Sequence, residues 1–183
     1  ATIYGAALDV VARLTENDTV LFNAEYLHTK YTKLAFVLSN VVSGLTIGCP
    51  TSAGPVAGTV AVDCAGEVMT RSPKWTGSMG YTHNFDFDNG ARVDAALNGQ
   101  FATKTVLMPF YLPQDDAAGY FTVAATVTYV SPDGDWTIQA FGRNLTDEDV
   151  FTGAFQTPGF HPNILARNIG APRTYGVRIG ARF

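Results

Sequence analysis

Apolar and polar residues alternate with a period of two along most of the chain, and this period is typical of β-strands rather than helices. In the clearest example, Val93, Ala95 and Leu97 fall on one face, while Arg92 and Asp94 fall on the other. The alternation predicts seven strands of roughly ten residues each. They lie at about 4–14, 20–29, 75–87, 92–101, 121–129, 136–143 and 174–183. The sequence therefore predicts an all-β, antiparallel fold.

The connections between these strands alternate between short and long. Short polar turns, such as Asp88-Asn89-Gly90, alternate with long segments at about 32–73, 103–118 and 146–172. Connections that long and without structure are uncommon in compact domains. Short turns at one end and long loops at the other are typical of outer-membrane barrels. A soluble sandwich buries its apolar face against a second sheet and needs no such asymmetry. The pattern favours an up-and-down transmembrane β-barrel.

Composition agrees with a surface that does not mostly face water. Charged residues make up 15% of the chain, against about 25% in a soluble domain. No segment approaches the ~20 apolar residues of a transmembrane helix, so a membrane protein with this sequence has to be a barrel. Aromatic residues recur at strand ends, as at membrane–water boundaries, although ordinary β-propensity also places them there. A soluble, Gly-rich β-domain remains the alternative.

The odd number of strands indicates a piece of a larger barrel. Bacterial barrels normally have an even number of strands, with both termini on the short-turn side. We therefore expect earlier strands and any signal peptide to lie upstream of residue 1. The net charge of −4 and the lack of a basic block argue against a nucleic-acid partner.

Cys49 and Cys64 lie in one Gly/Pro/Ser-rich segment. They have no neighbouring His at metal-ligand spacing, which argues against zinc. An even count within one loop predicts a local disulfide formed in an oxidising compartment, with a stabilising effect of about 3 kcal/mol. Two free buried thiols are the alternative.

Three segments resemble the C-terminal part of TonB-dependent receptors. Residues 136–148 resemble the penultimate strand of that family and the Asn-Leu-Thr-Asp-Glu stretch that follows it. Residues 171–183 resemble the Pro-Arg-Thr-Tyr-Gly start of the last strand and its terminal Phe. Residues 71–81 are similar to the Ser-Pro-Lys-Trp strand start. Their order and spacing agree with the family, and together they span most of the chain.

This resemblance implies a barrel of the 22-strand type with a plug domain inside it. Residues 1–183 would then be the last seven strands, with the plug and the N-terminal strands absent from this chain. The implied activity is TonB-dependent uptake of a scarce ligand, such as siderophore-iron, haem, a vitamin or an oligosaccharide. It takes place across the outer membrane of a Gram-negative bacterium. The implied partners are outer-membrane lipid, TonB through the absent N-terminal part, and the barrel-assembly machinery through Phe183.

Ligand contacts in such a transporter would come from lumen-facing polar residues near the outer side and from the long loops. The candidates are Asn98, Gln100, Phe110, Tyr111, Arg143, Phe160 and His161. Each lumen-facing candidate could instead make a hydrogen bond within the barrel wall or a contact with the plug.

The sequence gives no support for catalysis or a cofactor. His28, His83 and His161 are scattered, and none is paired with a Ser or Cys in a recognisable motif. An outer-membrane enzyme would need a Ser/His/Asp cluster on facing lumen positions. A self-contained small barrel, or a soluble β-domain with a structural or binding role, is the remaining alternative.

Two local motifs have simple structural interpretations. Asn144-Leu145-Thr146 matches a glycosylation sequon, but we interpret it as a turn leaving the strand. Residues 86–90 begin like a calcium loop but lack its closing Glu, so we predict a hairpin there.

Overall fold

The computed structural model describes residues 1–39, 47–156 and 165–182, which form β-strands and a single 3-10 turn. Among these residues, no helix is long and apolar enough to span a membrane. The strands are β1 (Thr2–Arg13), β2 (Asp18–Lys30), β3 (Ala35–Ser39), β4 (Thr51–Ala53), β5 (Thr59–Asp63), β6 (Trp75–Asp86), β7 (Arg92–Ala102), β8 (Thr105–Val106), β9 (Asp116–Ala117), β10 (Tyr120–Val130), β11 (Trp136–Arg143), β12 (Phe151–Gln156), β13 (Leu165–Ile169) and β14 (Thr174–Ala181).

Seven long strands form one antiparallel sheet in the order β1-β2-β6-β7-β10-β11-β14. The strands of this main sheet pair in the order in which they follow one another along the chain, with β1 and β14 at its two edges, which is up-and-down topology. The seven strands predicted from the alternation are therefore confirmed. The connections β2–β6, β7–β10 and β11–β14 are long. Because neighbouring strands run antiparallel, all three lie at the same end of the strands, called here the long-loop edge.

The register of the main sheet brings the predicted apolar positions onto one face. Val10 lies opposite Phe22, and Phe22 lies opposite Met79. Leu97 lies opposite Ala125 in the next strand pair. A slip of one residue in any pair would move that strand's apolar set to the other face.

This apolar face, called here the outer face, is not covered by any other described element. Leu97 remains 50% exposed, and Val177 and Ile179 remain 67% exposed. The buried hydrophobic residues of the described part all lie in the connections between the long strands: Cys49, Val62, Cys64, Ala91, Leu107, Leu112, Ala117 and Ala154. Among the described residues, the main sheet therefore buries no hydrophobic core against another element, although its outer face is apolar.

The long connections are not structureless in their described parts. The first carries a three-stranded sheet in the order β3-β5-β4, the second carries the β8–β9 pair, and the third carries the β12–β13 hairpin. Short strands satisfy backbone N–H and C=O groups that a long irregular loop would leave to water. These small sheets belong to the connections at the long-loop edge, which is where the candidate site lies.

The short turns follow the chemistry expected from their sequences. Gly90 has a φ of +86°, which explains the glycine in the β6–β7 turn. The side chain of Asn89 accepts a hydrogen bond from the Ala91 N–H. Residues 86–90 therefore form the predicted hairpin turn.

Candidate functional site

The face of the main sheet opposite the apolar one, called here the inner face, carries a cleft near the long-loop edge. This first cleft has a volume of about 350 Å³. It is lined by Asn98, Gln100, Tyr120, Thr122, Val123, Ala124, Arg143, Asn144, Val150, Gly170 and Ala171. Three of the ligand-contact candidates from the sequence, Asn98, Gln100 and Arg143, therefore lie together.

Strand register accounts for this convergence. Gln100 lies opposite Thr122 in the β7–β10 pair, so both project from the same face. Arg143 is the last residue of β11 and lies opposite Thr174 at the start of β14. All of these positions are at the ends of their strands nearest the long connections, because neighbouring strands run antiparallel.

The Arg143 side chain is supported by an aromatic ring and a glycine. Its guanidinium carbon lies 5.4 Å from the ring centroid of Phe141, within cation–π range. The Phe141 ring in turn lies across Gly176, where an added Cβ would come within 2.4 Å of its Cζ. Gly176 therefore makes room for the ring on which Arg143 rests.

A second cleft of about 310 Å³ adjoins the first and shares Tyr120 and Val150 with it. It is lined by Arg71, Pro73, Thr76, Ala102, Thr103, Thr105, Leu107, Ala117, Ala118, Tyr120, Val150, Phe151 and Thr152. Arg71 is exposed and has a φ of +56°. Its backbone N–H donates to the Val106 carbonyl, which holds the residue at the base of β8.

The linings of both clefts lack carboxylates. No Asp or Glu lines either cleft, whereas Arg143 lines the first and Arg71 the second. Within residues 1–39, 47–156 and 165–182, neither arginine is ion-paired with a carboxylate. The site can therefore present two uncompensated guanidinium groups to a ligand.

A hydrogen-bonded turn that begins at Asn144 forms part of the lining of the first cleft. Asn144 has a φ of +48°, and its side-chain oxygen accepts from the Glu148 N–H at 3.0 Å. Its amide nitrogen donates to the carbonyls of Glu148 and Ala171. Arg173 adds an ion pair with Asp147 at 2.9 Å. The predicted turn is confirmed. The hydrogen bond to Ala171 and the ion pair with Arg173 join this turn to the segment that precedes β14.

Phe110 and Tyr111, two further ligand-contact candidates, do not line either cleft. The Gly48 N–H donates to the Phe110 carbonyl at 2.7 Å, and a Cβ on Gly48 would lie 1.9 Å from the Tyr111 carbonyl oxygen. The Tyr111 hydroxyl donates to the Val68 carbonyl at 2.8 Å. These two aromatic residues therefore join the second long connection to the first.

Burial raises the pKa of Tyr111 to about 12, and the neighbouring Tyr31 and Glu67 add to the effect. The phenol therefore stays protonated and remains a hydrogen-bond donor over the physiological range. Tyr111 packs against the cluster of Cys49, Val62 and Cys64. It therefore holds the second long connection against the first.

The predicted disulfide is present. Cys49 and Cys64 are bonded, with a Cα–Cα distance of 5.1 Å. Both are buried beside Val62. The bond links the segment before β4 to the end of β5, so it closes the small sheet of the first connection.

Phe160, His161 and Phe183 lie outside the described residues. Within those residues, no cluster of three or more His, Cys, Asp or Glu side chains could hold a metal ion. His83 is bound to Asp18 at 2.6 Å and packs edge-on against Phe85 on the outer face.

The cleft residues that sequence reasoning missed include Arg71, Thr105 and Tyr120. Tyr120 has the same parity as Thr122, so extending the predicted strand by one residue would have placed it on the inner face. Arg71 directly precedes the Ser-Pro-Lys-Trp strand start, which lies at the long-loop edge. No sequence signal marks Thr105.

Comparison with known proteins bears on this fold. No family model matches the chain, and no curated protein matches it. The ferric yersiniabactin uptake receptor FyuA from Yersinia pestis is similar in structure, with 12% identity and a TM-score of 0.69, over 99% of this chain and 23% of that one. The siderophore receptor PiuA from Acinetobacter baumannii is similar over 97% of this chain and 21% of that one, with 17% identity and a TM-score of 0.65.

The chain thus spans less than a quarter of the length of either receptor. At these identities the likeness establishes the fold. The seven-stranded antiparallel sheet has the fold of the corresponding portion of both receptors, which agrees with the fold that the sequence resemblance implied.

Proposed function

We propose that this chain forms the last seven strands of a 22-strand, TonB-dependent receptor in the outer membrane of a Gram-negative bacterium. The complete protein takes up a scarce ligand, and its plug domain and TonB-binding segment belong to the part outside residues 1–183. Iron–siderophore is the first candidate ligand, because two structurally similar proteins are siderophore receptors. Haem, a vitamin and an oligosaccharide are the others.

The observation that carries this proposal is the asymmetry of the main sheet. Its outer face is apolar and uncovered by other described residues, while its inner face carries the polar clefts. Lipid can cover an apolar face without further protein. A plug domain and a ligand can form hydrogen bonds with the polar face. The long connections all lie at one edge, as the extracellular loops of such barrels do.

Within this function, Asn98, Gln100 and Arg143 contact the ligand in the first cleft. Phe110 and Tyr111 act by holding the first two connections together beside the clefts. Ligand contacts for Phe160 and His161, and a role for Phe183 in barrel assembly, are proposed from the sequence alone.

The test follows accumulation of labelled ligands by intact cells that carry the complete gene. Four probes cover the proposed classes: a ferric siderophore mixture, haem, vitamin B12 and a maltooligosaccharide. We expect one of them to accumulate in the parent strain and to fall to background both without this gene and without TonB.

Fractionation and gel mobility of unboiled protein provide the matching control, because a folded barrel in the outer membrane migrates differently before and after heating. Accumulation of all four probes that is unchanged by deleting the gene would contradict the proposed function. Uptake that needs the gene but not TonB would favour a passive small barrel instead.

A further inference from the structure

The two clefts differ in charge from the chain as a whole. The sequence has 16 acidic and 12 basic residues, yet none of the acidic ones lines either cleft, and each cleft has one arginine. Two acidic residues of the neighbouring connections form ion pairs: Asp147 with Arg173, and Asp116 with Lys104. The two linings therefore carry positive charge only; Glu25, which also lies on the inner face, is opposite Thr76 and lines neither cleft.

The other polar groups of the clefts can bind an anion through hydrogen bonds. Hydroxyl groups line the second cleft, and amide groups of Asn98 and Gln100 line the first. The Oγ1 atom of Thr105 is buried and has no hydrogen-bond partner among the described residues. This atom is closed to solvent, so a ligand in the second cleft would reach it only if the Thr105 side chain moved.

The two arginines line adjacent clefts, and Tyr120 and Val150 contribute to the linings of both. A guanidinium group binds carboxylate or phosphate oxygens through two parallel hydrogen bonds. Two such groups, one in each cleft, match a ligand with at least two oxyanionic groups better than a neutral or cationic one. Arg143 is also held in place by Phe141, so less side-chain freedom is lost on binding.

We propose that the ligand of this site is an oxyanion bearing at least two carboxylate or phosphate groups, bound between Arg71 and Arg143. This inference rests on the proposed function, since it names the substrate class of the same site. Glu148 and Asp149 follow the Asn144 turn, and their side chains do not line the clefts.

Calorimetry on the complete, detergent-solubilised protein tests this assignment, with citrate and pyrophosphate as separate probes at constant ionic strength. We expect binding of at least one probe, and Arg71→Gln and Arg143→Gln should each lower the affinity about tenfold or more. Citrate binding alone would identify a carboxylate site, and pyrophosphate binding alone a phosphate site.

Arg92→Gln is the matched control, because Arg92 also belongs to the main sheet but is paired with Asp94 at 2.9 Å, at the short-turn end. It should leave the affinity unchanged. Arg143→Lys should retain part of the binding, since it keeps the charge but loses the two-pronged geometry. Thr105→Val should leave the affinity close to that of the parent protein, because the Thr105 Oγ1 atom is closed to solvent and therefore to the ligand.

Absence of binding by either probe, or equal losses for the Arg92 and Arg143 variants, would overturn the oxyanion assignment. Gel mobility of each variant before heating checks that the barrel has folded. The TonB experiment is independent: arginine-dependent anion binding without TonB-dependent uptake would refute the proposed function and leave the anion site standing.

Discussion

An arginine at the centre of the outer face tests whether that face contacts lipid. Leu97 is 50% exposed and lies five residues from each end of β7. At about 3.4 Å per residue and a tilt of about 45°, five residues rise about 12 Å. That is half of the apolar band of about 25 Å in such barrels. In the proposed outer-membrane barrel, Leu97 would therefore lie near the bilayer midplane.

We expect Leu97→Arg to destabilise the complete protein by about 2–4 kcal/mol in lipid. At 1.4 kcal/mol per factor of ten, this is a shift of roughly 30- to 700-fold in the folding equilibrium. In a soluble domain, the same change at an exposed position away from packed features would stay within about 0.5 kcal/mol. The two environments therefore predict clearly different results.

The assay is urea-dependent folding into phospholipid vesicles, followed by the gel mobility of unheated samples. Ala96→Arg is the control, because Ala96 is the neighbouring residue of β7 and projects from the inner face, opposite Thr82 and Thr126. It should cost much less than Leu97→Arg. Equal effects of the two arginines, or no effect of Leu97→Arg, would refute the assignment of the outer face to lipid.

Three further predictions concern the connections. Replacing Cys49 and Cys64 by Ser should destabilise the first connection by about 3 kcal/mol, seen as faster limited proteolysis within it while the barrel keeps its gel mobility; unchanged proteolysis would count against a stabilising disulfide. Since the pKa of Tyr111 is raised to about 12, its stabilising contribution is complete below about pH 10 and is lost as the pH rises toward 12. The Tyr111→Phe variant should accordingly lack one late ionisation step in a near-ultraviolet absorbance titration, and an unaltered titration would disprove it. Asn144→Ala should expose the third connection to protease more than Asn144→Gly does, because glycine tolerates the φ of +48° at no steric cost whereas alanine does not; equal cleavage of the two would show that backbone strain is unimportant there.

The local pattern of the sequence was sufficient for the strands, their faces and the short turns. Alternation is a property of neighbouring residues, so Val93, Ala95 and Leu97 identify the outer face without knowledge of the partner strand. The Asn89-Gly90 turn depends on the φ that glycine permits. The disulfide could be predicted because both cysteines lie in one connection. The placement of Asn98, Gln100 and Arg143 together follows from strand parity and the common edge.

The arrangement of the long connections was decided by the tertiary structure. Gly48 meets Phe110 and Tyr111 from a different connection, a contact that no local pattern encodes. For this reason Phe110 and Tyr111 lie beside the disulfide cluster and do not line the clefts. Their position in a long, aromatic loop had predicted ligand contacts instead. Arg71 joins the site only because β8 and β12 bring the second cleft against the first. Contacts between residues so distant in sequence depend on how the loops pack over the sheet, and short-range periodicity carries no information on that packing.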